Sequence, residues 1–419
     1  MSVVTSPAGY RGLVRVTGPG FLGLSFLARL PAAMGPLGVI TLVAVATGSF
    51  AVAGAVAAAY GIGAALGGPV VGALADRHGQ RLVGAVAALI DAAALVAVVV
   101  AVRTGATPVV VGLLAAAAGF ATPQVGPLVR VRWAALLGDR GEQRNLPTAF
   151  SYEGAADELS YMAGPALVGL VAVLGSPSAP LLVAAGLTVA AAVPFALHRT
   201  APPVVRAPRA AAVAVRLPIA AVIALVVAMV AIGAVFGATQ TGVTAYASSV
   251  GASGSAGLIY AVLGVGSAIA GLATAWIPAR IGLLTRYVVA AIALAAGGAL
   301  LVVMPGTLVG VLVAMAVIGV VSAPYLISVY GVANAITPAR RAGTVMTLLA
   351  SGVVAGVALG AAAAGRLADS HGYQAAFLLP LLAGAAALAL ALASLRPLRG
   401  ALTHVPPTVA TPQPEPAYR

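Results

Sequence analysis

Five ionisable side chains stand inside long apolar runs of this sequence: Arg29, Asp91, Glu153, Asp157 and Glu158. An Arg or Asp at the middle of a bilayer costs at least ~2.5–3.5 kcal/mol on insertion scales, so such groups pair, bind an ion or move a proton. A buried carboxyl group can load and release protons, and a neighbouring cation opposes this by holding it ionised. Hydrolytic or redox chemistry has no comparable set of residues. There is no Cys, hence no disulfide, thiol nucleophile or thiolate metal site. The four His (His78, His198, His371, His404) do not lie well inside an apolar run with a carboxylate beside them. No metal-ligand spacing, phosphate-binding loop or other cofactor motif appears, so no cofactor is expected and any work the protein does draws on an ion gradient.

The elements that hold these charges follow from composition. The 419 residues are 61% hydrophobic and 7% charged, with a mean hydropathy of +1.09. A soluble domain is about 25% charged, so the chain is an integral membrane protein. Twelve apolar runs are long enough to span: 19–46, 50–73, 82–102, 107–129, 148–174, 178–197, 217–246, 254–277, 285–304, 307–331, 342–364 and 373–395. They fall into a half over 1–198, a linker over 199–216, a half over 217–395 and a tail over 396–419, expected to be disordered. The N-terminus lacks a compact apolar core followed by a small-residue cleavage site, so the first run reads as retained. With both termini on one side, nineteen of the 22 Arg fall on that side and two, Arg103 and Arg366, on the other, with Arg29 inside a run. This is the positive-inside pattern, and it puts both termini in the cytoplasm. It also accounts for the net charge of +13 without a nucleic-acid partner. All basic residues are Arg in an Ala- and Gly-rich chain, which suits a GC-rich bacterium and hence its cytoplasmic membrane.

Between runs 2 and 3 stands "GALADRHGQR" (72–81), a tight charged turn in a charge-poor chain. Gly72, Leu74, Ala75, Asp76, Arg77, Gly79 and Arg81 match G-x-L-A-D-R-x-G-x-R, which resembles the loop signature of the major facilitator superfamily. Gln80 stands where a basic residue is common. "WIPARIGLLTR" (276–286) is a weaker copy between runs 8 and 9, with Arg280, Gly282 and Arg286 but Ala279 in place of the acid. The resemblance implies an all-α fold of twelve transmembrane helices in two pseudo-symmetric halves. It implies a latch in which Asp76 faces the N-terminal end of helix 11, where "AITPARRAGTVM" supplies Thr337 and Pro338 as N-cap and first residue of a short helix. Arg77 or Arg81 is expected to pair with Asp139 or Glu142. In this fold helices 1 and 5 are neighbours. Arg29 and the Asp157–Glu158 pair each lie about ten residues into their runs, about 15 Å deep, so a pair between Arg29 and one of them is expected. Glu153, nearer the end, reads as snorkelling or titrating, and Asp91 as structurally paired.

"GAADELSYMAGPALVG" (154–169) resembles the helix-5 motif of the family's antiporters through Gly154, Gly164, Pro165 and Gly169, with one terminal Gly lost and the first spacing off. Glycine-rich spacing recurs in runs 2, 8 and 11, which border the contact between halves in this fold. The helix-4 Arg that many proton antiporters of the family carry is missing: only Gln124 precedes Arg130 and Arg132, and Arg132-Trp133 reads as an interface anchor. The fold would place Gln124, Thr239, Gln240, Thr244, Ser322, Tyr325, Ser328 and Tyr330 around a central cavity. So sparse a set suits an apolar or amphipathic substrate. The resemblance thus implies a monomeric secondary transporter exporting a small molecule against a proton gradient. A proton-coupled importer and a lipid-acting membrane enzyme are the alternatives.

Overall fold

A computed structural model describes residues 10–48, 50–204, 217–251, 256–278, 280–304 and 306–403. Lipid offers no partners for backbone N–H and C=O groups, so a spanning segment must satisfy them internally. The described spanning segments are accordingly helical: α1 Pro19–Thr47, α2 Phe50–His78, α3 Gln80–Arg103, α4 Pro108–Asp139, α5 Leu146–Leu174, α6 Ala179–Leu197, α7 Ile219–Ser249, α8 Ala256–Ala273, α9 Leu283–Val303 and α10 Leu308–Ile336. A last helical stretch, Ala342–Ala393, is two spans, α11 (342–371) and α12 (373–393), divided at Gly372, whose φ of 78° no L side chain adopts cheaply. The chain is therefore an all-α bundle of twelve transmembrane helices.

Three helices are interrupted, each near a polar side chain. α1 breaks at Ala28–Arg29, α4 at Thr122–Gln124 around Pro123, and α6 contains a π-turn, Thr188–Ala192. Pro removes a donor and clashes with the preceding turn, which explains the α4 break.

The two six-helix halves repeat one packing device. In the first, a Cβ on Gly119 of α4 would fall on the Tyr60 carbonyl of α2. In the second, a Cβ on Gly319 of α10 would fall on the Leu263 carbonyl of α8. Small residues let backbones touch where lipid supplies no hydrophobic drive. The glycines of α11 do not line the contact between halves as expected. Gly352, Gly356 and Gly360 meet the Val226, Val230 and Ala234 carbonyls of α7, in their own half. Gly63 and Gly67 of α2 likewise press on α4, and Gly257 meets nothing. The inter-half contacts use Gly68 and Gly72 of α2 against α11, and Gly264 and Gly271 of α8 against α5.

The ends differ from expectation too. The tail is not unstructured from residue 396: Leu395–Thr403 is a helix. It is amphipathic, with Leu398 fully buried in the main core while Arg396 and Arg399 stay exposed. Residues 404–419 and most of the 199–216 linker lie outside the described residues. The start of that linker packs on the first half through buried Thr200 and Ala201.

Candidate functional site

The break in α1 lets the Arg29 side chain turn sideways into the bundle. Its Nη1 donates to the Ser25 carbonyl at 2.8 Å, its Nε to Asp157 Oδ1 at 2.8 Å, and its Nη2 to Glu153 Oε2. From the other side Arg130 Nη2 donates to Asp157 Oδ2 at 2.7 Å and its Nη1 to the Gly126 carbonyl at 2.9 Å. Trp133 Nε1 donates to the remaining Glu153 oxygen. The Arg130 guanidinium lies 4.1 Å from the centre of the Tyr330 ring of α10. Helices α1, α4 and α5 thus share one ion network, which α10 covers. Arg29, Glu153 and Arg130 are 5% exposed or less, whereas Asp157 keeps 27%, so the network is open to solvent only at that carboxylate. A Cβ at Gly126 would stand 2.9 Å from Asp157 Oδ1, so that glycine admits the carboxylate.

Several expectations change here. The structure brings Arg29 to Asp157 and not to Glu158. Glu153 neither snorkels nor stands apart; it is fully buried and paired. A buried Arg does stand within α4, namely Arg130. The span holding it runs to Asp139, ten residues past the expected end, so Arg130 and Arg132 lie inside the protein. Arg132-Trp133 is not an interface anchor. Arg132, 1% exposed, donates to Gln80 Oε1 at 2.9 Å and to the Phe195 carbonyl at 2.7 Å, and stacks 3.9 Å from the Phe195 ring centre. The signal that could have revealed this is the apolar register continuing through Leu137. The Arg asymmetry between sides survives the removal of these two residues.

Glu158, next in sequence, points about 100° away from Asp157 around the helix. It forms no ion pair among the described residues. The buried Ser267 hydroxyl of α8, itself without a hydrogen-bond partner, faces it. Asp91 is likewise without an Arg partner: Thr188 Oγ1, at the π-turn of α6, donates to its Oδ2 at 3.1 Å, and its Oδ1 has no partner.

At the end of α2 Asp76 accepts three hydrogen bonds from the first turn of α11: Gly343 N at 2.9 Å, Thr344 N at 2.8 Å and Thr344 Oγ1 at 2.7 Å. The two backbone N–H groups are among the orphan donors that a helix N-terminus leaves free, and the Thr344 hydroxyl adds a side-chain donor. Thr337 and Pro338 are not the receiver. Thr337 ends α10 with its hydroxyl unpaired, and Pro338 precedes a 3₁₀ turn, Ala339–Arg341. Arg77 and Arg81 form no ion pair with Asp139 or Glu142 among the described residues. Gly79, at φ 94°, makes the turn into α3. In the second half Arg286 donates to the Ile277, Pro278 and Ile281 carbonyls, while Ala279 lies outside the described residues.

The helix-5 glycines divide. A Cβ on Gly164 would stand 2.5 Å from the Ala33 Cβ of α1, and one on Gly154 3.2 Å from Ile327 of α10, but Gly169 meets nothing within 4 Å. Pro165 sits inside the unbroken helix. Of the cavity residues, Gln124 lies at the α4 break close to Gly68, and Tyr330 covers Arg130. Gln240 and Thr244 are exposed on α7, while Thr239 is buried. Ser322 and Tyr325 turn away from the other half: Tyr325 donates to the Ala228 carbonyl at 3.1 Å and packs on Tyr287, and Ser322 donates to the Ile318 carbonyl at 2.6 Å. Ser328 similarly bonds the Pro324 carbonyl. Helical register explains this, because residues 327 and 330 share the face towards the first half and 322 and 325 do not.

A family model described as the Major Facilitator Superfamily matches residues 21–347. Among solved structures, the human organic anion transporter MFSD10 (TETRAN) aligns at 17% identity and TM-score 0.68, covering 89% of this chain and 98% of that one. A bacterial homologue of the iron transporter ferroportin in an outward-facing state aligns at 16% identity and TM-score 0.72, covering 89% and 98%. A variant of the E. coli fucose:proton symporter FucP aligns at 16% identity and TM-score 0.64, covering 92% and 99%. Among curated proteins none matches the chain at a significant level.

Proposed function

The chain belongs to the major facilitator superfamily, and from that premise we propose that it is a secondary active exporter of a small apolar or amphipathic compound, coupled to protons. The observation that carries this is the charge balance on α5. Two guanidinium groups, Arg29 and Arg130, meet Glu153 and Asp157. The third carboxylate, Glu158, is left without a cation among the described residues and is half-buried. It is the group free to exchange a proton as the two halves rock. Arg130 on α4 supplies the cation that proton antiporters of the family place there, which strengthens the antiport reading over the one available from sequence.

Contacts between the halves support alternating access. They run from the bilayer middle to the Asp76 side: Asp76 on α11, Arg130 on Tyr330, Gly271 on Ala155, and Tyr10 bonding the Leu272 carbonyl at 2.5 Å. With Arg enrichment setting this side as cytoplasmic, the arrangement is the outward-facing one, the state in which the ferroportin homologue was solved. The setting proposed is a bacterial cytoplasmic membrane with both termini inside.

The test is uptake of lipophilic fluorescent compounds into everted vesicles, with and without a proton gradient. The expected result is gradient-driven accumulation that Glu158→Gln abolishes while the variant still purifies as a folded protein. Accumulation that persists unchanged after the gradient is collapsed sinks the coupling, and gradient-driven loss from the vesicles reverses the direction.

A further inference from the structure

A groove of about 740 Å³ lies on the outer wall of the first half, between α2, α3 and α4. Leu66 and Leu74 of α2, Val86 and Ile90 of α3 and Phe120 of α4 line it, and His78 closes its end. These apolar side chains are largely exposed to what surrounds the protein, which in a membrane is lipid. Along α2 the lining runs from Ile62 to His78, sixteen residues or about 24 Å. One leaflet with its headgroup region is about 20–22 Å deep. The groove therefore has the reach of a single phospholipid, with its polar end at the Asp76 side.

Charge at that end selects the headgroup. At 100° per residue Arg77 lies on the groove face of α2, next to His78. Arg77 is exposed and forms no ion pair among the described residues. By the same register Arg81 lies on the face of α3 away from the groove-lining Leu82, Val86 and Ile90. Asp76 and Gly72 lie on the opposite face of α2, engaged with α11. No acidic side chain lines the groove. We propose that this groove holds one anionic phospholipid of the Asp76-side leaflet, its chain between α2, α3 and α4 and its phosphate on Arg77 and His78. One wall of the site is the helix whose other face carries the latch. Lipid occupancy then braces α2 against α11 and favours the latched state. The site is separate from the α5 ion network and stands whether or not the protein exports protons.

The experiment reconstitutes the protein in vesicles of equimolar phosphatidylglycerol and phosphatidylcholine, extracts it in mild detergent and identifies retained lipid by native mass spectrometry. A basic side chain near a membrane surface attracts anionic lipid enough for roughly fivefold enrichment. The wild type is expected to retain one lipid, enriched about that much in phosphatidylglycerol. Arg77→Gln with His78→Gln removes the preference but not the retained chain. Ala117→Trp, on an exposed groove position of α4, removes the bound lipid altogether, and Leu66→Trp does so independently. Equal retention of both lipids by the wild type overturns the proposal. So does undiminished retention in both Trp variants when circular dichroism shows them folded.

Discussion

At the scale of single residues, the proposed coupling makes Glu153 the structural member of the α5 trio and Glu158 the proton-exchanging one. Glu153 is fully buried and takes donors from both Arg29 and Trp133. Removing one partner of a buried pair leaves the other charge uncompensated, at about 3–5 kcal/mol. Glu153→Gln is therefore expected to unfold many degrees below wild type and to aggregate in size-exclusion chromatography. The double variant Arg29→Leu with Glu153→Leu removes both charges together and recovers most of that loss. A double variant no more stable than Glu153→Gln would show that Asp157, which Arg29 also holds, carries the pairing instead. Arg29 was legible in the sequence because it stands alone in an apolar run. Arg130 was not, since an Arg-x-Arg pair beside a Trp has the composition of a span's end. Only the depth of the folded helix separates the two cases.

At the scale of elements, the twelve spans were legible because lipid leaves the backbone no alternative to helix, so hydropathy and length suffice. Which face each helix turns to its neighbour was not, because small residues serve every close contact alike. The glycines of α11 illustrate the limit: three pack on α7, and a different one, Gly343, meets the partner half. A Cβ at Gly343 would stand 2.6 Å from Asp76 Oδ1 and 3.0 Å from the Gly72 carbonyl. Gly343→Ala is thus expected to push α2 off the first turn of α11 without touching the α5 network. The carboxylate–helix interaction it disturbs contributes about 1–2 kcal/mol in a partly buried setting, a population change of fivefold to thirtyfold. Hydrogen exchange at Thr344 and Val345 is the direct measurement, with faster exchange expected in the variant and unchanged protection at Gly352 further along α11. Equal exchange in wild type and variant would mean the added methyl is absorbed by helix displacement with the carboxylate still bound.

At the scale of the whole molecule, polar contacts between the halves gather towards the Asp76 side, as the proposed outward-facing arrangement requires. Rigid halves hinged in this way must trade closure on one face for closure on the other. Asp76, with three charge-assisted hydrogen bonds at a helix N-terminus, is the polar contact proposed to bias that trade. Asp76→Asn keeps an acceptor but loses the charge and with it most of that ~1–2 kcal/mol. The native chain has no Cys, so paired spin labels can be placed on introduced Cys without background. Labels at positions 139 and 340 report the Asp76 side, and labels at 104 and 306 the opposite side. In Asp76→Asn the 139–340 distance is expected to lengthen in a larger share of molecules and the 104–306 distance to shorten in that same share. Transport slows several-fold while membrane insertion is kept, because the carboxylate stabilises a global state and touches no substrate. Lengthening on one side with no reciprocal change on the other would show local fraying of the loop. A wild-type distance distribution together with wild-type transport would show that the remaining contacts, among them Arg130 on Tyr330, hold the closed side without Asp76.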